Sequence, residues 1–239
     1  MPDLALKLLT QASTVFESLQ GVTMYTIKEA FYSLQGEGAQ AGRPSIFCRF
    51  TGCNLWNGKE NHRSNALCQF CDTDFIGTDG QNGGKFKQAA DLAAHLNALW
   101  PENHDNKYVV FTGGEPALQL DPTLIAEMKA LGFMIGIETN GTKALPEGID
   151  WICVSPKTSE PLIINQGHEL KLVYPQTHLD PKNYIELAFE TFYLQPMDQS
   201  HLADNLLHPQ NTLKQTLAYC LANPQWRLSL QTHKILDID

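Results

Sequence analysis

From about residue 45 onward the chain repeats one pattern: a short apolar, β-branched run followed at once by a polar cluster. SIFCRF (45–50) leads to TGCN, YVVF (108–111) to TGGEP, and FMIGI (133–137) to ETNG. WICV (151–154) leads to SPK, FYL (192–194) to QPMD, and RLSL (227–230) to QTHK. ELKLVYP (169–175) reads as a further strand with weaker alternation. Runs of this kind predict buried strands ending in turns. Helical periods lie between several of them, at 87–99, 121–131 and 211–221. Asp121-Pro122 opens the second helix and Gly132 follows its end, both ordinary boundary signals. Leu4, Leu8, Ala12, Val15 and Leu19 also recur at helical spacing, so residues 1–23 read as an extension and 24–239 as one domain.

Strand–helix alternation predicts an α/β fold, with parallel strands and helices packed outside them. The polar clusters then fall together at the carboxyl edge of the sheet, where α/β enzymes place their sites. Six or seven strands with three or four helices fall short of an eight-fold barrel. The reading is an incomplete, partial TIM-like barrel; a doubly wound open sheet fits the same pattern.

Composition narrows the function classes. The 239 residues carry a formal charge of −9, from 17 basic and 26 acidic side chains. Without a basic run, the chain lacks an electrostatic grip on nucleic acid. No apolar stretch is long enough to span a bilayer, and the N-terminus lacks the basic start and apolar core of a secretory signal. The expected compartment is the reducing cytoplasm, where six cysteines read as metal-binding, reactive or buried.

Three of the six crowd into CNLWNGKENHRSNALCQFCDT (53–73). Cys68-x-x-Cys71 lets two sulfurs reach one metal centre, with Cys53 returning across the intervening loop. The spacing leaves two readings open. Three thiolates hold three corners of a [4Fe–4S] cluster and leave one iron free, or His62 completes a structural zinc site. Cys48, Cys153 and Cys220 sit in apolar patterns and read as buried thiols.

Together, the three cysteines and TGGEP (112–116) resemble the radical S-adenosylmethionine (SAM) enzymes. The first gap here, NLWNGKENHRSNAL, is fourteen residues, longer than the common three. A narrower resemblance covers most of the chain. FYSLQGEGAQAGRPSIFCRFTGCN (31–54), CQFCDT (68–73), TGGEP, ETNG (138–141), SPK (155–157), QPMD (195–198) and QTHK (231–234) are similar to the 7-carboxy-7-deazaguanine synthase family of queuosine biosynthesis, some members of which share the long gap.

That resemblance implies a lyase. A reduced cluster on Cys53, Cys68 and Cys71 splits SAM to give a 5′-deoxyadenosyl radical. The radical takes hydrogen from C6 of 6-carboxy-5,6,7,8-tetrahydropterin, the ring contracts with loss of ammonia, and 7-carboxy-7-deazaguanine results. Thr73 would ligate Mg²⁺. Gly113, Gly114, Glu115, Ser155, Lys157 and Gln195 would meet SAM, with Glu115 accepting from its amino group. Leu34, Gln35, Glu37, Arg49, Glu138, His233 and the terminal Asp239 would meet the substrate, Arg49 its carboxylate. A homodimer and a flavodoxin-like electron donor are the partners implied. Two alternatives stand beside this reading: a SAM-dependent activase that makes a glycyl radical on another protein, and a non-enzymatic zinc-stabilised binding protein.

Overall fold

The computed structural model describes residues 24–102, 104–198 and 209–238. The N-terminal extension and Asp239 lie outside them. Nine strands form one sheet: β1 (Tyr25–Leu34), β2 (Pro44–Phe50), β3 (Gly84–Phe86), β4 (Tyr108–Gly113), β5 (Met134–Thr139), β6 (Trp151–Val154), β7 (Gln166–Tyr174), β8 (Ala188–Pro196) and β9 (Trp226–Leu228). The helices are α1 (Ala89–Asn97), α2 (Pro122–Ala130), α3 (Pro209–Ala222) and the short α4 (Thr232–Leu236).

The order across the sheet is β3-β1-β2-β4-β5-β6-β7-β8-β9. Every neighbouring pair from β2 to β9 is parallel, whereas β1 runs antiparallel to β2 and β3 antiparallel to β1. The sheet does not close, as expected of a partial barrel. The predicted strands and outer helices are all present, with ends moved by a few residues.

β1 and β3 were not among the predicted strands. YTIKEAFYSL carries Lys28 and Glu29 in its middle, and a bulge between Ile27 and Glu29 breaks its alternation. Distant partners neutralise both charges. Lys28 pairs with Asp74 and Asp79, each at 2.8 Å, and Glu29 pairs with Arg49 at 2.7 Å.

The helices cover one face of the sheet. On α1, Ala89, Leu92, Ala93 and Leu96 form the buried stripe that a 3.6-residue period produces. On α2, Leu124, Ile125 and Met128 do the same. These meet Ile46, Cys48, Phe50, Val109, Phe111, Ile135 and Ile137 of the central strands in one core. A second core gathers Val154, Leu170, Leu172, Leu194 and Trp226 farther along the sheet. With the apolar side chains taken up by these cores, the polar strand ends face the other way.

One buried group ties the antiparallel hairpin to this frame. Asp121 caps α2 by accepting from the Leu124 amide at 2.9 Å, and the Tyr25 hydroxyl donates to the same carboxylate at 2.9 Å. Asp121→Ala therefore loses a cap and strands a buried hydroxyl, an expected cost of about 2–3 kcal/mol. Thermal unfolding should fall by roughly 4–12 °C, given about 2–4 °C per kcal/mol for a chain of this size. Tyr25→Phe, which leaves the cap in place, should lose about half as much. Equal losses in the two variants would show that the cap contributes nothing.

Candidate active site

Consecutive strand ends surround a cavity of about 600 Å³. Thr112 and Gly113 enter it from β4, Glu138 from β5, Ser155 and Lys157 from the turn after β6, Gln195 from β8, and His233 from α4. Leu34, Gln35 and Glu37 come from the end of β1 and the turn after it, and Arg49 from β2. Cys53, Cys68, Cys71 and Thr73 form the wall nearest the long loop. Among the described residues, every predicted site residue except Glu115 borders this space.

Glu115 is fully buried and borders no part of the cavity. Its carboxylate accepts from the Ala117 amide at 3.0 Å, the Thr139 hydroxyl at 2.7 Å and the Asn140 amide at 2.8 Å. Burial raises its pKa against these bonds. The side chain therefore fastens the TGGEP turn to the ETNG turn. Gly113 and Gly114 are also needed for packing. Gly113 has φ +133°, and a Cβ there would lie 2.2 Å from the Phe50 carbonyl oxygen. A Cβ on Gly114 would lie 2.1 Å from the Gly52 carbonyl oxygen and 2.9 Å from Cys53 Cβ.

The loop between Cys53 and Cys68 turns back on the cysteines. Arg63 lies over the Trp56 ring, 4.1 Å from its centroid, and Trp56 packs edge-on against Phe75. The guanidinium donates to the carbonyls of Gln69 at 3.0 Å and Cys71 at 2.9 Å. Glu60 holds the other side of Arg63. His62, the fourth ligand of the zinc reading, is exposed, bonds Asn57 and stands outside the cavity wall.

Among the described residues, no three His, Cys, Asp or Glu side chains converge on a single-ion site. The donor set itself is three soft thiols beside a cavity. The Cys68 thiol donates to Cys71 and draws the Cys71 pKa down to about 6, against the upward push of burial. The Leu55 amide donates to Cys53 Sγ at 3.4 Å. Burial pushes the Cys53 thiol up and the bond to Cys71 pushes Cys68 up, so the fit to an iron–sulfur cluster rests on three soft sulfur donors in one cavity wall and on amide donation to sulfur. Cys48 and Cys153 are buried as expected, whereas Cys220 on α3 is only half-buried.

Elsewhere in the cavity lining the side chains are charged. Lys171 Nζ donates to Glu37 Oε2 at 2.6 Å and to Glu138 Oε2 at 2.8 Å. Glu37 Oε1 also accepts from Gln195 and Gln231, each at 3.0 Å. Burial pushes the Glu37 pKa up, but Lys171 outweighs it and the value falls to about 2. Gln35 Nε2 donates to Glu138 Oε1 at 3.1 Å. Arg49 is held by Glu29 through its Nε, so its orientation is set before any ligand arrives. Lys157 donates to Ser155 at 2.7 Å. Lys234 bridges Asp72, at 3.1 Å, and Asp198, at 2.5 Å, joining the cysteine loop to the QPMD turn.

Glu29, Thr112, Lys171, Gln231 and Lys234 border the cavity without having been predicted. A signal existed for Lys171. Leu170 and Leu172 point into the core, so period two puts Glu169 and Lys171 together on the other face. Charged neighbours there mark a polar interior.

An open parallel sheet with three thiols beside a polar cavity at its carboxyl edge defines an enzyme of the radical SAM class. No family model matches the chain. Curated relatives do: 7-carboxy-7-deazaguanine synthase of Bordetella pertussis is 57% identical over 214 residues, covering 90% of this chain and 99% of the relative. The protein of the same name from Nitratidesulfovibrio vulgaris is 52% identical over 217 residues, with the same coverage. Among solved structures, QueE from Escherichia coli superposes with a TM-score of 0.59 at 25% identity, covering 87% of this chain and 94% of that one. The chain belongs to the 7-carboxy-7-deazaguanine synthase family.

Gly114→Ala tests the packing of the cluster wall. Overpacking against Gly52 and Cys53 should cost about 1–3 kcal/mol and displace the Cys53 thiol, lowering the iron retained after anaerobic reconstitution. Full iron content and an unchanged visible spectrum would contradict that coupling.

Proposed function

We infer that this chain carries out the reaction for which its family is named. It is a radical SAM lyase that converts 6-carboxy-5,6,7,8-tetrahydropterin to 7-carboxy-7-deazaguanine with loss of ammonia. The observation that carries the reading is one cavity lined both by three thiols and by the Glu37–Glu138 pair. An activase acting on another protein's glycine has no use for a carboxylate pair in the cavity wall. A zinc-stabilised binder would use His62, which stands apart.

A [4Fe–4S] cluster on Cys53, Cys68 and Cys71, with SAM on its open iron, would supply the hydrogen-abstracting radical. The chain's residues bind, orient and exclude water. Gly113, Gly114, Ser155, Lys157 and Gln195 provide the polar surface for SAM. Glu37, Glu138 and Gln35 offer acceptors and donors to the pterin edge. Arg49, already aligned by Glu29, faces the substrate carboxylate. His233, whose pKa burial lowers, adds an uncharged donor or acceptor beside it. Thr73 offers a hydroxyl to Mg²⁺, a hard ion that takes oxygen ligands and keeps several waters. The family resemblance supports a homodimer, a flavodoxin-like reductant and a cytoplasmic setting. No helix among the described residues is long and apolar enough to cross a membrane.

The direct test is anaerobic incubation with SAM, Mg²⁺, a reductant and carboxytetrahydropterin, following the deazapurine chromophore. Its absence from protein loaded with about four irons per chain would overturn the reading. Cys68→Ala should abolish both SAM cleavage and turnover. Glu138→Gln should retain the cluster and raise KM for the pterin by roughly tenfold or more, the size of one lost charge-assisted hydrogen bond. An unchanged KM would remove Glu138 from the substrate site.

A further inference from the structure

Lys171 stands in the middle of β7 and its side chain is 4% exposed. A buried ammonium is tolerated only where opposite charges meet it. Glu37 arrives from the turn after β1, 134 residues away in sequence, and Glu138 from β5, 33 residues away. Burial pushes the Lys171 pKa down, but Glu138 and Glu37 outweigh it and leave it well above the ordinary value.

We propose that Lys171 is a positioning residue. It holds Glu37 and Glu138 side by side as acceptors in the cavity wall and so selects a ligand edge bearing neighbouring N–H donors. The proposal rests on the functional reading above and adds to it the residue that shapes the substrate site.

Acceptor capacity supports it. A carboxylate has about four lone-pair sites. Glu37 uses three, on Lys171, Gln195 and Gln231. Glu138 uses two, on Lys171 and Gln35, and takes a long third contact from the Cys153 thiol at 3.9 Å. Both border the open cavity, so the remaining acceptor sites are offered to whatever enters it. Without the ammonium, Glu37 loses the charge that outweighs its burial and takes up a proton more readily. A protonated carboxyl presents a donor where the ligand also presents one.

The other groups around Lys171 do not replace it. Glu169, on the same strand, has its pKa raised chiefly by burial, and its carboxylate accepts from the Ala39 amide at 2.9 Å. Cys153 on β6 and Tyr108 on β4 are likewise pushed up by burial. His233 on α4 is pushed toward its uncharged form by burial. Among the described residues around the pair, Lys171 is the cation bonded to both glutamates.

The test is the affinity for carboxytetrahydropterin, measured anaerobically on cluster-loaded protein without reductant, from pH 6 to 8.5. In the unaltered enzyme Lys171 keeps Glu37 ionised and the affinity should be flat with pH. In Lys171→Met, removing the ammonium raises the Glu37 pKa. Binding should be more than about tenfold weaker at pH 6 and should recover as pH rises and the Glu37 proton leaves. Unchanged affinity, or a loss that does not vary with pH, overturns the proposal, since a space-filling lysine predicts no recovery. Should Lys171→Met fail to retain the cluster spectrum, Lys171→Met combined with Glu138→Gln removes one carboxylate charge with the ammonium. It should assemble normally and bind weakly at every pH. Failure to assemble, or tight binding, overturns the charge account. If the unaltered enzyme retains its cluster and responds to SAM yet does not bind carboxytetrahydropterin, the functional reading fails instead.

Discussion

Parallel strand pairing is the constraint on which the rest of the molecule depends. From β2 to β9 each strand runs beside its neighbour in the same direction. Their carboxyl ends therefore fall on one edge, whatever the lengths of the segments between them. Residues as distant as Arg49, Glu138, Gln195 and His233 meet around one cavity for that reason. The apolar face of the sheet is taken by α1, α2 and the core beneath them, which leaves the polar face for chemistry. The antiparallel β1 adds what a purely parallel sheet lacks: a turn, QGEG, that bends back over the same space.

Within that cavity two kinds of lining meet. One presents sulfur, with Cys71 drawn toward thiolate by the Cys68 thiol and a backbone amide donating to Cys53. The other presents oxygen and nitrogen in tightly paired charges. Soft and hard donors bind different partners, so one space offers two chemically distinct surfaces. Glu115 lies outside the cavity wall and ties the turns of β4 and β5 together. A buried carboxylate with three donors makes a stiff joint, because losing any one donor leaves charge uncompensated.

The long gap between Cys53 and Cys68 is used structurally. Trp56 gives the loop an apolar anchor on Phe75. Arg63 stacks on that anchor and donates to the carbonyls of Gln69, just after Cys68, and of Cys71. The insertion thus braces the cysteine loop from outside, as the glycines of TGGEP pack against it from inside.

Much of this was legible along the chain. The alternation of apolar runs and polar clusters is local, set by two- and 3.6-residue periods, and it revealed β2, the strands from β4 to β9, the outer helices and the shared edge. The cysteine spacing and the segments around it pointed to the chemistry, because metal-binding chemistry demands particular residue types close together. What remained hidden depended on partners far away. The charged middle of β1 does not read as a strand until Asp74, Asp79 and Arg49 are seen to neutralise it. The bonds that join Glu115 to Thr139 and Asn140 cannot be read along the chain. The alternation around Lys171 puts it on the polar face but does not say which glutamates close on it. Composition and period determine which elements form and which residues reach the common edge; only the folded chain decides which charges are paired, because pairing is set by distance in space.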